Sequence, residues 1–175
     1  MNHHQIEIEL SRGRAELLEA YAALSAGQLV RPATVSEHDA GSRWTAQDHL
    51  AHLAAFEQTL SEIARRKLSG HANPLGPLIG DDGVRRSREE VVSNLTRISE
   101  EFVLEKRGHS FDDIVASGQV VRAETLALLG STKEEQLADK VAGAPFGDGT
   151  IGGILASSAD HGRMHWKWLE EARTN

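Results

Sequence analysis

Two histidines, His161 and His165, stand four residues apart in the run Asp160-His161-Gly162-Arg163-Met164-His165-Trp166. On a helix that spacing puts both imidazoles on one face, about a turn apart, so both can reach one point. Two imidazoles leave most of a divalent ion's coordination sphere empty, so the pair needs a third ligand from elsewhere in the chain. His52 is the candidate, about two turns into an earlier helical segment and turned toward the interior or its rim. Three protein ligands leave at least one position for water or substrate, the form of a catalytic rather than a structural centre. Imidazole suits Zn, Ni, Cu or Fe(II), so this ligand set does not fix the metal. Spacing alone leaves a second reading open, in which each histidine is a satisfied residue of the core or its rim.

The remaining composition narrows the chemistry. The chain has 175 residues, 39% apolar and 26% charged, enough for one domain, taken as 1–175, to bury a full core. Its formal net charge is −7, and its longest basic block is Arg65-Arg66-Lys67. That argues against a nucleic-acid partner, because a phosphate backbone calls for a basic footprint. There is no cysteine, which removes disulfides, a thiolate nucleophile and any Cys-ligated zinc or iron–sulfur site. Met1-Asn2-His3-His4-Gln5 leads into a charged amphipathic segment and not a secretory signal, and no apolar run is long enough to cross a bilayer. The expectation is a soluble, cytoplasmic protein with no membrane partner. No Ser-His-Asp or Cys-His arrangement and no phosphate-cradling glycine loop is present.

The elements that would position the histidines read as helices. Residues 5 to 27 carry apolar residues at threes and fours, with Ser25-Ala26-Gly27 as a stop. Residues 28 to 43 read as a connecting loop. Thr45 and Asp48 form a capping box that opens a second helix, whose stripe runs Leu50, Leu53, Phe56, Leu60, Ile63, Leu68 and ends at Gly70. Residues 70 to 86 are rich in Gly and Pro and long for a connection in a small domain, which points to a functional or mobile segment. Ser87 and Glu90 cap a third helix to about Lys106, and Ser110 reopens one that runs to Leu129 and stops at Gly130. A short acidic helix follows over Lys133 to Leu137. Thr150 caps the last helix, with Ile151, Ile154, Leu155, Ala159, Met164, Trp168 and Leu169 as its stripe. No period-2 alternation is found. The expected fold is all-α: an up-down four-helix bundle with an additional helix between the second and third bundle helices.

The run Trp44-Thr45-Ala46-Gln47-Asp48-His49-Leu50-Ala51-His52-Leu53 resembles the second-helix signature of the DinB-like superfamily. That signature is Trp-Ser/Thr, two variable residues, an acidic residue, two apolar ones, a small one, then His-Leu. Phe146-Gly147-Asp148-Gly149-Thr150-Ile151-Gly152, followed by His161 and His165, resembles the start and end of that family's fourth helix. The resemblance spans about residues 5 to 172. It implies a four-helix bundle holding a divalent metal (Zn, Ni or Fe) with His52, His161 and His165. The superfamily includes mycothiol-dependent maleylpyruvate isomerases, bacillithiol transferases and metal-dependent hydrolases.

The sequence departs from the pattern at His49, where an apolar residue is usual. Its phase, about 60° from His52, makes it a rim residue in preference to an alternative ligand or a group behind the ligands. Residues 70 to 107, with their added helix, are long for a minimal member, and a loop on a rigid scaffold there would define the substrate. Asp48 reads as a capping carboxylate, Asp160 and Arg163 as solvated, and Trp44, Trp166 and Trp168 as packing groups. His71 and His109 sit at helix ends, and His3 and His4 at a frayed terminus.

Three functions follow. The first is a metal-dependent enzyme on a small-molecule substrate, in which the ion lowers the pKa of an incoming thiol or water. With a low-molecular-weight thiol it is an S-transferase or isomerase; with water it is a hydrolase. The second is a non-catalytic, stress-related metal-binding protein, with exposed helix faces suited to a homodimer. The third is a helical bundle whose histidines are structural.

Overall fold

Short polar side chains start the helices. Asn2, Ser25, Thr45, Ser87 and Ser110 each accept a bond from the backbone N–H three residues on, and Gln5, Gln28, Asp48, Glu90 and Asp113 each accept one back from the cap's backbone. Each pair satisfies two of the donors that a helix start leaves free. In the computed structural model, which describes residues 1–36, 40–76 and 86–174, these boxes open α1 (His3–Ala22), α2 (Ala26–Val30), α3 (Ala46–Leu68), α4 (Arg88–Lys106) and α5 (Phe111–Ser131). A 3-10 helix (Glu134–Ala138) precedes α6 (Ile151–Thr174). The first turn of α6 is held by Thr150, whose Oγ1 accepts from the Gly153 N–H at 3.0 Å. The all-α expectation and the caps at Thr45, Ser87 and Thr150 are borne out.

Several boundaries differ from expectation, each for a local reason. The helix expected over 5 to 27 is two, because Ser25 does not stop α1 but caps α2. The loop expected over 28 to 43 contains a minimal antiparallel pair, β1 (Thr34–Val35) against β2 (Arg43–Trp44). The last helix's buried stripe is Ile151, Ile154, Leu155, Ser158, Gly162, His165 and Leu169, whereas Met164 is exposed. His3 is not frayed: its ring contacts the Glu134 carboxylate and the Thr132 carbonyl. Most of the Gly/Pro-rich stretch 70 to 86 lies outside the described residues. No helix among the described residues is long and apolar enough to cross a membrane.

Successive long helices reverse direction. Asp48 at the start of α3 meets Arg107, just past the end of α4, so those two are antiparallel. Glu57 meets Arg122 and Ser61 meets Thr125, so α3 and α5 are parallel. Gly13 lies against Ala159, Leu17 against Gly162 and Tyr21 against Trp166, so α1 and α6 are parallel too. The bundle is therefore α1, α6, α3 and α5 in spatial order. The added helix α4 is the return leg that carries the chain back between α3 and α5, and it packs on the outside of α3.

This placement surrounds α3 with α4, α5 and α6, and every side chain from Asp48 to Glu57 is buried. Such a helix is apolar on most faces, and the polar groups it carries need partners within the protein. The apolar core falls in two parts, one around Phe56, Ile63, Ile151 and Leu155, the other around Tyr21, Trp44, Leu50 and Leu169. His52 lies between Trp44 and Phe56, with ring centroids 5.0 and 6.2 Å away.

The turn that aims α6 depends on a glycine. Gly147 has φ +52°, and a Cβ there would stand 2.4 Å from the Gly153 carbonyl oxygen. Gly147→Ala should destabilise the fold by about 2 kcal/mol or more. Gly130→Ala, in helix α5 with open space around it, should be neutral or stabilising by up to about 1 kcal/mol. Urea unfolding of both variants checks the contrast.

Candidate metal centre

The antiparallel run of α3 against α6 brings four histidines into one column. His49 faces His165, Nδ1 to Nδ1 at 2.8 Å, and His52 faces His161, Nε2 to Nε2 at 2.8 Å. Within α6 the expected one-turn spacing puts His161 Nε2 3.1 Å from His165 Nε2. One ring nitrogen from each of His52, His161 and His165 lies within 4.8 Å of the others. The three residues singled out by spacing are thus brought together, across a sequence separation of 109 residues.

The contacts around His161 Nε2 test whether this set suits an ion. An imidazole nitrogen has one in-plane position, occupied by either a proton or a lone pair. His161 Nε2 can therefore complete a linear hydrogen bond with His52 or with His165, not with both. Three lone pairs directed at one cation remove that conflict, and three neutral imidazoles are a ligand set that Zn and neighbouring divalent metals accept. The residues fit such an ion.

His49 requires a correction. The rim reading fails because the β1–β2 pair and α6 cover that side of α3: His49 is 1% exposed, with Thr34 Oγ1 2.7 Å from its Nε2 and the Trp44 and His165 rings against it. Once His52, His161 and His165 turn Nε2 lone pairs inward, one proton arrangement is consistent. His165 Nδ1–H donates to His49 Nδ1, and His49 Nε2–H donates to Thr34 Oγ1. A ligand histidine oriented through its second nitrogen is the usual support of such a centre. Burial pushes both His49 and His161 down to about 4, so both rings are neutral in the range where metals bind.

Trp44 and Phe56 form the walls, and neither was read as part of the site. Trp44 is fully buried, stacks at 6.2 Å on His165, and donates its indole N–H to Glu100 of α4 at 3.1 Å. Phe56 stacks on His161 at 3.9 Å and meets Phe146 edge-on at 5.7 Å. His161 is the one member of the set that is not fully buried, so the column opens on its side. The other assignments stand: Asp48 caps α3 and pairs with Arg107, Asp160 and Arg163 pair at the surface, and His71 and His109 are exposed at helix ends.

The shifted histidines set a pH dependence. The unfolded chain protonates these rings near pH 6.5 and the folded chain only near pH 4. Their contribution is complete above pH 6.5 and is lost as pH falls toward 4. The chelator-treated protein should lose stability of the order of a few kcal/mol across that window. Denaturant titrations at stepped pH check this, and His161→Ala should flatten the slope.

Comparison with known proteins bears on the fold and the family. No curated protein matches the sequence. The fold is similar to the crystal structure of an uncharacterised protein from Escherichia coli UTI89, with a TM-score of 0.67 and 14% identity over 99% of this chain and 94% of that one; likeness at that identity concerns the fold alone. The sequence matches the model of the DinB superfamily over residues 9–169. The chain belongs to the DinB superfamily.

Proposed function

We propose that the protein is a divalent-metal-dependent enzyme whose ion is held by His52, His161 and His165. The observation that carries this is the double contact of His161 Nε2 with His52 and His165 at 2.8 and 3.1 Å, which lone pairs on a common cation satisfy and hydrogen bonds do not. Partial exposure of His161 beside Phe56 and Phe146 favours a centre open to a small apolar substrate over a closed structural one. A divalent ion there supplies Lewis acidity, lowering the pKa of a thiol or water that reaches it.

The chain's own residues hold and orient. His49 and Thr34 fix the tautomer and angle of His165; Trp44 and Phe56 keep bulk water from the back and side of the rings. With no cysteine in the chain, a thiol nucleophile must be brought in, as a low-molecular-weight thiol. The reaction is then S-transfer or isomerisation; with water it is hydrolysis.

Purified untagged protein should carry near-stoichiometric metal, and the His161→Ala, His165→Ala double variant should carry little. Equal metal in both would refute the centre. Metal-loaded protein is then assayed with glutathione, mycothiol or bacillithiol and an electrophile, and with activated esters. A metal-dependent rate with no thiol but with an ester selects the hydrolase, and none with either leaves a binding protein. His49→Ala should weaken metal affinity about 10–100-fold while the fold survives, read by competition with a chromophoric chelator.

A further inference from the structure

A second cluster of charges lies inside the bundle and shares no residue with the histidine column. Arg14 on α1, Glu57 on α3 and Arg122 on α5 surround a small cavity of ≈ 10 Å³, bounded on the α6 side by Ser158 and Gly162. The three charged residues are 8%, 3% and 9% exposed. Arg122 answers Glu57 through Nη2 to Oε2 at 2.9 Å and a more bent approach of Nε to Oε1 at 2.7 Å. Arg14 has no equivalent: its Nε and Nη2 are buried and make no hydrogen bond within the protein. Its guanidinium occupies the space that Gly118 leaves on α5, where a Cβ would stand 2.2 Å from Nη2.

The cluster therefore holds two positive charges against one negative. A guanidinium cannot shed its proton to escape burial, and a buried charge without a counter-charge is strongly unfavourable. Burial and the charge of Arg122 both oppose the charge on Arg14, and Glu57, the one group supporting it, is already engaged. The deficit is one negative charge, and the cavity, near the lower limit for a single water, takes a one-atom anion once its side-chain lining gives slightly. We propose that Arg14 and Arg122 form a binding site for a small monovalent anion of halide size, which ties α1, α3 and α5 together. A polyatomic anion such as a carboxylate, phosphate or sulfate would have to displace more of the lining than a single atom does, so a halide is the anion the cavity admits most readily.

The test measures urea unfolding of the full chain, treated with chelator so that no metal at the histidines takes up halide, in chloride, bromide, gluconate or sulfate at fixed ionic strength. Chloride and bromide should raise the midpoint in a saturable way, as mass action requires for a ligand of the folded state; gluconate and sulfate should not. Arg14→Met should lose the halide-specific shift. Identical curves in chloride and gluconate would overturn the proposal and mean that water alone fills the cavity; an undiminished halide shift in Arg14→Met would overturn it as well. Should Arg14→Met fail to fold, bromide-soaked wild-type crystals decide: an anomalous peak beside Arg14 supports the site, and none at saturating bromide refutes it.

Discussion

Helix α3 has no solvent-facing side between Asp48 and Glu57, and the rest of the structure answers that constraint. Four of those ten residues are ionisable: Asp48, His49, His52 and Glu57. A polar group taken out of water must find its partners inside the protein. Together they draw on four other parts of the chain. Arg107 beyond α4 takes Asp48, β1 and α6 take His49, α6 takes His52, and α5 takes Glu57. These pairings leave α3 little freedom to rotate or slide, because a shift by one residue would break all of them together.

The same helix meets two different electrostatic settings about one and a half turns apart. At His49 and His52 the environment is aromatic and neutral, with lone pairs gathered on one side, a setting for a cation. At Glu57 two guanidinium groups converge and leave positive charge in excess. The rise from His52 to Glu57 is only about 7.5 Å, close enough for charges in a protein interior to feel one another. An anion held by Arg14 and Arg122 would therefore do more than steady the bundle: it would reduce the positive field that a divalent ion meets at the histidines.

Much of this was legible in the residues, and the parts that were not share a cause. His161 and His165 could be found because helical spacing is local, and His52 because it stands where the family signature places a ligand. The caps at Thr45, Ser87 and Ser110 are equally local. His49 was misplaced because its exposure depends on what packs over α3, and nothing near residue 49 tells that β1 and α6 cover it. The signal was present in its phase, only 60° from His52. Arg14 and Arg122 look like ordinary charged positions on amphipathic helices, and only the meeting of α1 with α5 at Gly118 shows them to be interior. Met164 was taken for a core residue on its apolar character, while the true stripe runs through Ser158, Gly162 and His165, whose small or polar side chains conceal it.

The three candidate ligands come from helices that the chain forms far apart. His161 and His165 are a local pair, present as soon as α6 winds, while His52 is 109 residues away and arrives only when α3 has docked against α6. A partly folded chain can thus offer an ion two nitrogens but not three. An ion that bridges all three closes a loop of more than a hundred residues, the kind of constraint whose entropic effect on the unfolded chain is largest. Gathering the three nitrogens is therefore possible only once α3 and α6 have docked, and tight metal capture at them would report that the bundle has closed.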